Sequence, residues 1–285
     1  MRWVLALWTA AALVAAPATA ALAEDAATLL KATDRSFSRP HDLVLSPDRR
    51  LLYVADVGNH VVRVLDPASL ETLGRIGEGD LSSPHDVTFD REGRLLVADT
   101  GNDRIVVYRL TGRGLAGERA AVWTAEMGSP EGVAAEPDGE VFVTNASRGT
   151  VIVLREGRVV RRSKRVAGRN YSRPHDIHID GQGRVFTVDP GNERILVLDG
   201  SLHVIKVLKG PFYGFHEPKY VATDDRNRVF VADEYNNRIL FLDGDLRPAG
   251  EIKSGLNQPE GVEVLGDRLW VSDTYNNRIL LYKLK

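Results

Sequence analysis

Short runs of apolar residues, separated by glycine, asparagine and aspartate, recur along almost the whole chain. A typical stretch is Arg94–Asp99, which is followed by the polar turn Thr100–Asn102 and a second apolar stretch, Arg104–Tyr108. Many of the apolar residues are β-branched and they show no helical period, so each run indicates a strand and each polar group a tight turn. The hydrophobic pattern therefore predicts an all-β protein built from short strands.

A proline opens each copy of this pattern. The opening prolines, spaced by 44, 46, 44, 44 and 41 residues, are Pro40, Pro84, Pro130, Pro174, Pro218 and Pro259. A weaker strand such as Glu71–Ile76 precedes the next proline, which gives four antiparallel strands per repeat. A period of this length is typical of repeat architectures, and six such units predict a six-bladed β-propeller. An open solenoid is the alternative, but it would normally carry polar capping repeats.

The two ends of the repeat array complement each other. The last repeat stops after its third strand, Arg278–Tyr282, while a spare strand precedes the first repeat near Thr28–Ala32. Pairing of these segments would close the ring and cover two strand edges. We therefore expect one propeller domain over residues 24–285.

Residues 1–23 have the features of a secretory signal peptide. Arg2 supplies a positive charge, Trp3–Ala16 is apolar, and Ala21–Ala23 forms a small-x-small cleavage motif. We expect cleavage and export to the periplasm or the extracellular space, with an uncleaved membrane anchor as the alternative. No second apolar stretch is long enough to span a bilayer, so no integral span is expected after cleavage.

Cysteine content and charge exclude several functions. The chain has no cysteine, which excludes disulfides, thiolate metal sites and a cysteine nucleophile. Its net charge of −2 does not favour nucleic acid, and none is expected as a partner. One basic run stands out, comprising Arg155, Arg158, Arg161, Arg162, Lys164, Arg165, Arg169 and Arg173. It predicts either an anionic partner or a solvated edge strand protected by charge.

The segment Ala232–Leu240 resembles the signature of NHL repeats. Similar segments are Asp99–Val106, Asp189–Leu196 and Asp273–Leu280. The resemblance extends over nearly all of residues 38–285 and implies a six-bladed propeller. It implies no particular activity, because relatives with this fold include enzymes, RNA-binding modules and protein-binding modules.

Residues that recur in the repeats are expected to be architectural. An acidic residue ends the second strand of most repeats, at Asp56, Asp99, Asp189, Asp233 and Asp273, with Asn145 in the third repeat. These side chains are expected to accept hydrogen bonds from their own turns. Arginines just beyond them, at Arg104, Arg194, Arg238 and Arg278, are expected to pair with neighbouring carboxylates.

The position after each opening proline, here called the post-proline position, varies more. Around the ring it is occupied by His41, His85, Glu131, His175, Lys219 and Glu260. Chain direction places all six at one mouth of the central channel, together with Tyr235, Tyr275 and the aromatic loop residues Phe212, Tyr213 and His216. Concave surfaces of such mixed chemistry favour ligands. We therefore expect a protein, peptide or small-molecule ligand at this mouth.

Side chains of alternate blades face one another across a six-fold ring, so they could bind one metal ion together. His85, His175 and Glu260 offer two imidazoles and a carboxylate, a set that suits zinc or another divalent metal with open positions. Asp86 and Asp176 would then orient the imidazoles. The alternative is that Pro-His-Asp is a strand-opening turn whose histidines line a wet channel without metal.

Pro40–Asp42 followed by Val54–His60 resembles the first zinc-bearing blade of the peptidyl-α-hydroxyglycine α-amidating lyases. These propellers hold a channel zinc with three histidines in Pro-His motifs. In register, the resemblance places the three ligands and the catalytic tyrosine at His41, Glu131, Lys219 and Gly101. If the family's blades are aligned with this chain in a rotated register, the three ligand positions fall on His85, His175 and Glu260, and Tyr235 becomes the catalytic residue. It implies a metal-dependent lyase or hydrolase as the alternative to a binding module.

Overall fold

The protein forms a six-bladed β-propeller in the computed structural model, which describes residues 23–24 and 26–285. This confirms the predicted fold class. The expected signal peptide, residues 1–23, lies outside the described residues except for Ala23. None of the described helices is long and apolar enough to cross a membrane.

Each blade contains four strands, and the chain enters each one along its innermost strand. Two strands precede the first blade: β1 (Ala23–Glu24) and β2 (Ala27–Ala32). Blade one contains β3 (Pro40–Leu45), β4 (Leu52–Asp56), β5 (Val61–Leu65) and β6 (Thr72–Ile76). Blade two contains β7 (Pro84–Phe89), β8 (Leu95–Asp99), β9 (Arg104–Thr111) and β10 (Ala116–Trp123). Blade three contains β11 (Pro130–Ala135), β12 (Glu140–Asn145), β13 (Thr150–Arg155) and β14 (Arg158–Ser163).

The second half of the ring repeats this order after a small hairpin. The hairpin consists of β15 (Arg165–Val166) and β16 (Arg169–Asn170). Blade four contains β17 (Ile177–Ile179), β18 (Val185–Asp189), β19 (Arg194–Leu198) and β20 (Val204–Lys209). Blade five contains β21 (Pro218–Thr223), β22 (Val229–Asp233), β23 (Arg238–Leu242) and β24 (Pro248–Ile252). Blade six contains β25 (Val262–Leu265), β26 (Arg268–Asp273) and β27 (Arg278–Leu284). Short 3-10 turns lie at Val57–Asn59, Thr100–Asn102, Gly112–Gly114, Pro190–Asn192, Glu234–Asn236 and Thr274–Asn276.

The amino-terminal residues add strands to two blades. Strand β2 pairs antiparallel with β27, so that Ala27 lies opposite Leu284 and Ala32 opposite Leu280. Strand β1 lies parallel to β24, the outer strand of blade five. The segment before the first repeat therefore supplies the outer strand of blade six.

The hydrophobic core lies between neighbouring blades. Every residue of β4 and β8 is buried, because a second strand is covered on both faces. Tyr53 and Val97 share a cluster between blades one and two. Trp270 of blade six packs in an equivalent cluster with Leu52 of blade one. The first and last blades are thus joined by the same kind of packing as the others.

The acid at the end of the second strand ties its turn to the segment before the opening proline. In blade two, Asp99 Oδ1 accepts the backbone N–H of Ser82 at 2.6 Å, and Oδ2 accepts Arg104 Nε at 2.6 Å. The equivalent ion pairs are Asp56–Arg63, Asp189–Arg194, Asp233–Arg238 and Asp273–Arg278. The predicted arginine pairing is confirmed, but the carboxylates bind the pre-proline backbone rather than that of their own turns. This bond holds two chain segments together at one mouth of the channel.

Candidate ligand site at one mouth of the channel

All six post-proline side chains face one cavity of about 430 Å³, at the mouth where the innermost strands begin. They are His41, His85, Glu131, His175, Lys219 and Glu260. The turns after the second strands reach the same cavity and contribute Glu234, Tyr235 and Tyr275. The propeller therefore gathers histidines, carboxyls, a lysine and two tyrosines from all six blades.

Three of these side chains lie close enough to share one metal ion. A nitrogen of His41, a nitrogen of His175 and a carboxylate oxygen of Glu260 lie within 4.8 Å of one another. Glu260 Oε2 is 3.1 Å from His41 Nδ1 and 3.8 Å from His175 Nε2. Glu131 Oε2 lies 3.4 Å from His175 Nε2 and adds a second carboxyl. Two imidazoles and a carboxylate suit zinc or iron and leave positions open.

Several polar atoms of the cavity residues are left without partners. Among the described residues, His41 Nδ1, His175 Nδ1, Glu234 Oε2 and Glu260 Oε2 are buried and make no hydrogen bond. His41 Nδ1 and Glu260 Oε2 lie within ion-pair distance, but their geometry is not that of a hydrogen bond. An unpaired buried polar atom costs about 1–3 kcal/mol. These atoms therefore weaken the fold unless something binds to them.

The expected metal set of His85, His175 and Glu260 differs from the observed cluster in one member. His85 lines the cavity, but its Nδ1 lies 2.9 Å from the carbonyl oxygen of Ser83. Its ring packs edge-on against His41, with centroids 4.5 Å apart. His41 takes the place beside Glu260, because His85 turns back toward its own backbone instead of pointing straight across the ring.

Burial keeps the histidines uncharged at neutral pH. Burial, together with the nearby His85 and Lys219, lowers the pKa of His41 well below 6.5. Burial and the charge of Lys219 do the same to the pKa of His175. Burial also lowers the pKa of His85 to about 4. Neutral imidazole is the form that coordinates metals, so no proton must leave these rings first.

Burial raises the pKa of two carboxyl groups of the cavity toward neutral pH. Burial raises the pKa of Glu131 to about 7 and that of Glu260 to about 8. Burial disfavours the charge of Lys219, but Glu260, Glu234 and other nearby carboxyls raise its pKa. Lys219 therefore stays charged, with its Nζ 3.4 Å from Glu234 Oε2. An incoming cation would favour the ionised form of Glu260.

Tyr220 crosses the channel below the histidines. Its hydroxyl donates to the backbone carbonyl of His85, on the opposite side of the ring, at 2.9 Å. Its ring lies edge-on to that of His175, with centroids 5.0 Å apart, and the residue is 1% exposed. A separate cavity of about 240 Å³ lies beyond, lined among others by Asp42, Asp86, Asp176, His178 and Glu263. The mouth is therefore a cup with a floor, and we call it the cup below.

The aspartates of the Pro-His-Asp motifs join blades and do not orient the imidazoles. Asp86 Oδ2 accepts the backbone N–H of Val133 at 3.1 Å, and Asp176 Oδ2 accepts that of Val221 at 2.8 Å. Asp42 accepts from Val87 in the same way at 3.3 Å. The expected role of Asp86 and Asp176 is therefore wrong. In blade two the motif belongs to the innermost strand, where consecutive residues point to opposite sides, so Asp86 faces away from His85.

The aromatic residues near the mouth divide into rim and core. Tyr235 and Tyr275 line the cup and are 48% and 49% exposed. His216 lies behind the rim, with its ring edge-on to that of Tyr235 at 5.2 Å. Phe212 is exposed outside the cup.

Tyr213 does not face the mouth, contrary to expectation. It is buried between blades four and five, and its hydroxyl donates to the carbonyl of Leu246 at 3.1 Å. The reason is a tight turn, in which the N–H of Tyr213 donates to the carbonyl of Gly210 and points the ring inward.

Sequence reasoning missed three charged residues of the cup: Arg39, Arg173 and Glu234. Arg39 and Arg173 immediately precede Pro40 and Pro174, where other repeats carry Ser83, Ser129, Glu217 and Gln258. Glu234 follows Asp233 in the turn that brings Tyr235 to the rim. Each departs from its equivalents in other repeats, and that departure was the available signal.

Half of the eight residues of the basic run are paired with carboxylates. Arg155 and Arg161 both pair with Glu140, and Arg162 pairs with Glu126. Among the described residues, no ion-pair partner is found for Arg158, Lys164 or Arg165. Within the run itself, Glu156 is the one acidic residue. The fold brings two further carboxylates to it, those of Glu126 and Glu140, from earlier segments of the chain.

By its fold this protein belongs to the class of six-bladed β-propellers, with a circle of polar side chains at one mouth of the channel. The NHL repeat family model matches residues 37–65 and 81–108, which lie in blades one and two. The chain is therefore a six-bladed β-propeller whose first two blades match the NHL repeat.

Solved structures with the same fold include enzymes and a binding protein. Streptogramin B lyase is 13% identical, with a TM-score of 0.65, over 91% of this chain and 97% of that one. Virginiamycin B lyase from Staphylococcus aureus is 14% identical, with a TM-score of 0.61, over 85% of this chain and 80% of that one. An auxiliary nutrient binding protein from Bacteroides thetaiotaomicron is 15% identical, with a TM-score of 0.67, over 86% of this chain and 69% of that one. Identities this low establish the shared fold alone.

A plant protein shares sequence with part of the chain. Protein SUPPRESSOR OF QUENCHING 1, chloroplastic, from Arabidopsis thaliana is 26% identical over 145 residues. The match spans 41% of this chain but only 14% of the plant protein. This chain therefore corresponds to a small part of that relative.

Proposed function

We propose that this protein is an exported binding module that takes its ligand in the cup. The observation that carries the proposal is the set of buried polar atoms that make no hydrogen bond on three cup residues: His41, His175 and Glu260. Buried polar groups are normally paired, so an unpaired group needs a reason. A ligand that binds these atoms supplies that reason.

A divalent metal ion is the ligand that best fits the centre of this set. His41 and Glu260, through two of these atoms, would hold it together with a ring nitrogen of His175, with Glu131 beside them. The two imidazoles are neutral, and Glu260 needs only to lose one proton. An organic ligand would then reach the ion through the open positions and contact the rim.

A metal-dependent lyase or hydrolase is the second candidate. The observation that favours it is the position of Glu131, whose Oε2 lies 3.4 Å from His175 Nε2 and so places a carboxyl beside the cluster, where it could exchange a proton with a bound molecule. A metal bound here would supply a Lewis acid and would lower the pKa of bound water to roughly 7. Lyases and a nutrient-binding protein both occur among the solved structures with this fold, which fits either candidate.

Calorimetric titration of metal-stripped protein with zinc, manganese and calcium tests the proposal. We expect one site for zinc or manganese, and a loss of affinity of at least about tenfold in Glu260→Gln. Elemental analysis of untagged protein should find the same metal. Less than about a tenth of an equivalent after incubation, with no heat for any of the three ions, would overturn the metal site.

Export is tested separately by the mass of the mature protein. Secreted protein should begin at Glu24. A cell-associated chain that retains residues 1–23 would support the anchor instead.

A further inference from the structure

The cup has an asymmetric rim. In every blade, the second residue of the turn after the second strand donates its backbone N–H to the carbonyl two residues before the opening proline. These six equivalent positions are occupied by Gly58, Gly101, Ser147, Gly191, Tyr235 and Tyr275. The large side chains are thus confined to the adjacent blades five and six.

The tyrosines replace a packing arrangement that requires glycine. A Cβ at Gly58, Gly101 or Gly191 would collide with the hydroxyl of the serine that its own N–H faces, and these serines are Ser38, Ser82 and Ser172. Blades five and six carry His216 and Asn257 in place of that serine. Two positions have therefore changed together in each of these blades, and the result is an aromatic side chain at the rim.

Among the described residues, neither tyrosine ring is buried in the core between the blades. Both are about half exposed, and four other blades form the same turn with glycine or serine. His216 packs edge-on against Tyr235, which holds that ring at the rim. Exposed aromatic faces beside a polar cavity are typical of ligand contacts.

A cation lies next to the aromatic side of the rim. Arg39 of blade one lines the cup, and its backbone N–H donates to Asn277 in the turn that carries Tyr275. The guanidinium of Arg39 has no ion-pair partner among the described residues. An arginine that is free to pair selects for acidic groups.

We infer that the cup selects a small ring-bearing acid, whose ring stacks on Tyr235 and Tyr275 and whose carboxylate meets Arg39. The inference rests on the proposed function, since it names the ligand class of the same site. The shared chemistry is a flat ring face, which an aromatic ring and a sugar ring both provide.

Three carboxylates that differ in the ring provide the test. The metal-loaded protein is titrated with 3-phenylpropanoate, glucuronate and hexanoate, and binding is measured by ligand-observed NMR. These probes carry an aromatic ring, a sugar ring and no ring, respectively. We expect at least one ring-bearing probe to bind more tightly than hexanoate. Tyr235→Ala and Tyr275→Ala should each weaken that probe about 3–10-fold and change hexanoate by less than about twofold. Arg39→Gln should weaken all bound probes alike.

Phe212→Ala is the matched control, because it removes an exposed aromatic ring outside the cup. It should leave every affinity unchanged. If all three probes bind equally, or if the tyrosine variants affect hexanoate as much as the ring-bearing probe, the ring inference is overturned while the cup remains a binding site. If no probe binds although the metal does, the inference also fails and the metal site stands. If neither metal nor probe binds, both the inference and the proposed function fail.

Discussion

Neighbouring residues of the same Pro-His-Asp motif have opposite roles in this propeller. In blade four, His175 faces the cup with an unpartnered nitrogen, while Asp176 binds the backbone of blade five. Both histidines and aspartates recur in blades one, two and four, so recurrence alone does not separate them. The difference lies in hydrogen-bond partners: the aspartates bind backbone N–H groups of the next blade, whereas His41 and His175 each keep a buried nitrogen that makes no hydrogen bond. Recurrence in the repeat therefore does not separate the two residues, whereas their hydrogen-bond partners do.

The largest expected effect comes from removing the amino-terminal strand β2, which, like the aspartates, has its partners within the fold. Deletion of residues 24–36 removes β2 and exposes the edge of β27. We expect the free energy of unfolding to fall by about 3–5 kcal/mol, because several backbone hydrogen bonds worth about 1 kcal/mol each are lost. Urea unfolding and light scattering measure this. A deletion variant that unfolds like the mature protein would show that β2 is not needed for closure.

A smaller loss is expected when one blade-joining aspartate is removed. Asp176→Ala leaves the N–H of Val221 without its acceptor in a buried place, which should cost about 1–3 kcal/mol. Asp176→Asn is the matched control, since its amide oxygen still accepts that bond, and it should lie close to wild type. Urea unfolding of both variants separates them. Equal stability of the alanine and asparagine variants would contradict the blade-joining role.

The carboxyls of the channel predict a modest loss of stability with rising pH. Burial raises the pKa of Glu260 and of Glu263 to about 8, whereas both ionise near 4.5 when unfolded. The folded state therefore holds more protons over this range, and stability falls as pH rises. The histidines, with lowered pKa values, oppose this trend only below about pH 6.5. From pH 6.5 to 8.5 we expect each of these two carboxyls to lower the stability of the metal-free protein by up to about 2 kcal/mol.

Zinc and a single variant sharpen the pH test. Saturating zinc should remove part of the loss by pairing with ionised Glu260, and Glu260→Gln should show a shallower slope without zinc. Unfolding curves at several pH values provide the measurement. A stability that stays level or rises over this range would be inconsistent with buried, protonated carboxyls.

The repeat made most of the fold and the composition of the cup predictable from sequence. Six prolines at regular spacing define six innermost strands, and chain direction places the residues after them at one mouth. The spacing could not tell whether His41 or His85 lies beside Glu260, because that depends on a bond between the His85 ring and Ser83. It also could not show that a turn at Gly210 directs Tyr213 into the core. The direction of Asp86 was within reach, since strand alternation sets it.

Zinc titration of His175→Ala and Asp176→Ala, compared at neutral pH with His85→Ala and wild type, tests most directly whether the unpartnered side chains form the site. We predict that His175→Ala weakens zinc binding by at least about tenfold, while Asp176→Ala and His85→Ala retain affinities within about threefold of wild type. Melting curves of the same samples should show the largest loss of stability in Asp176→Ala. Equal loss of zinc in Asp176→Ala and His175→Ala, or undiminished binding in His175→Ala, would contradict the account.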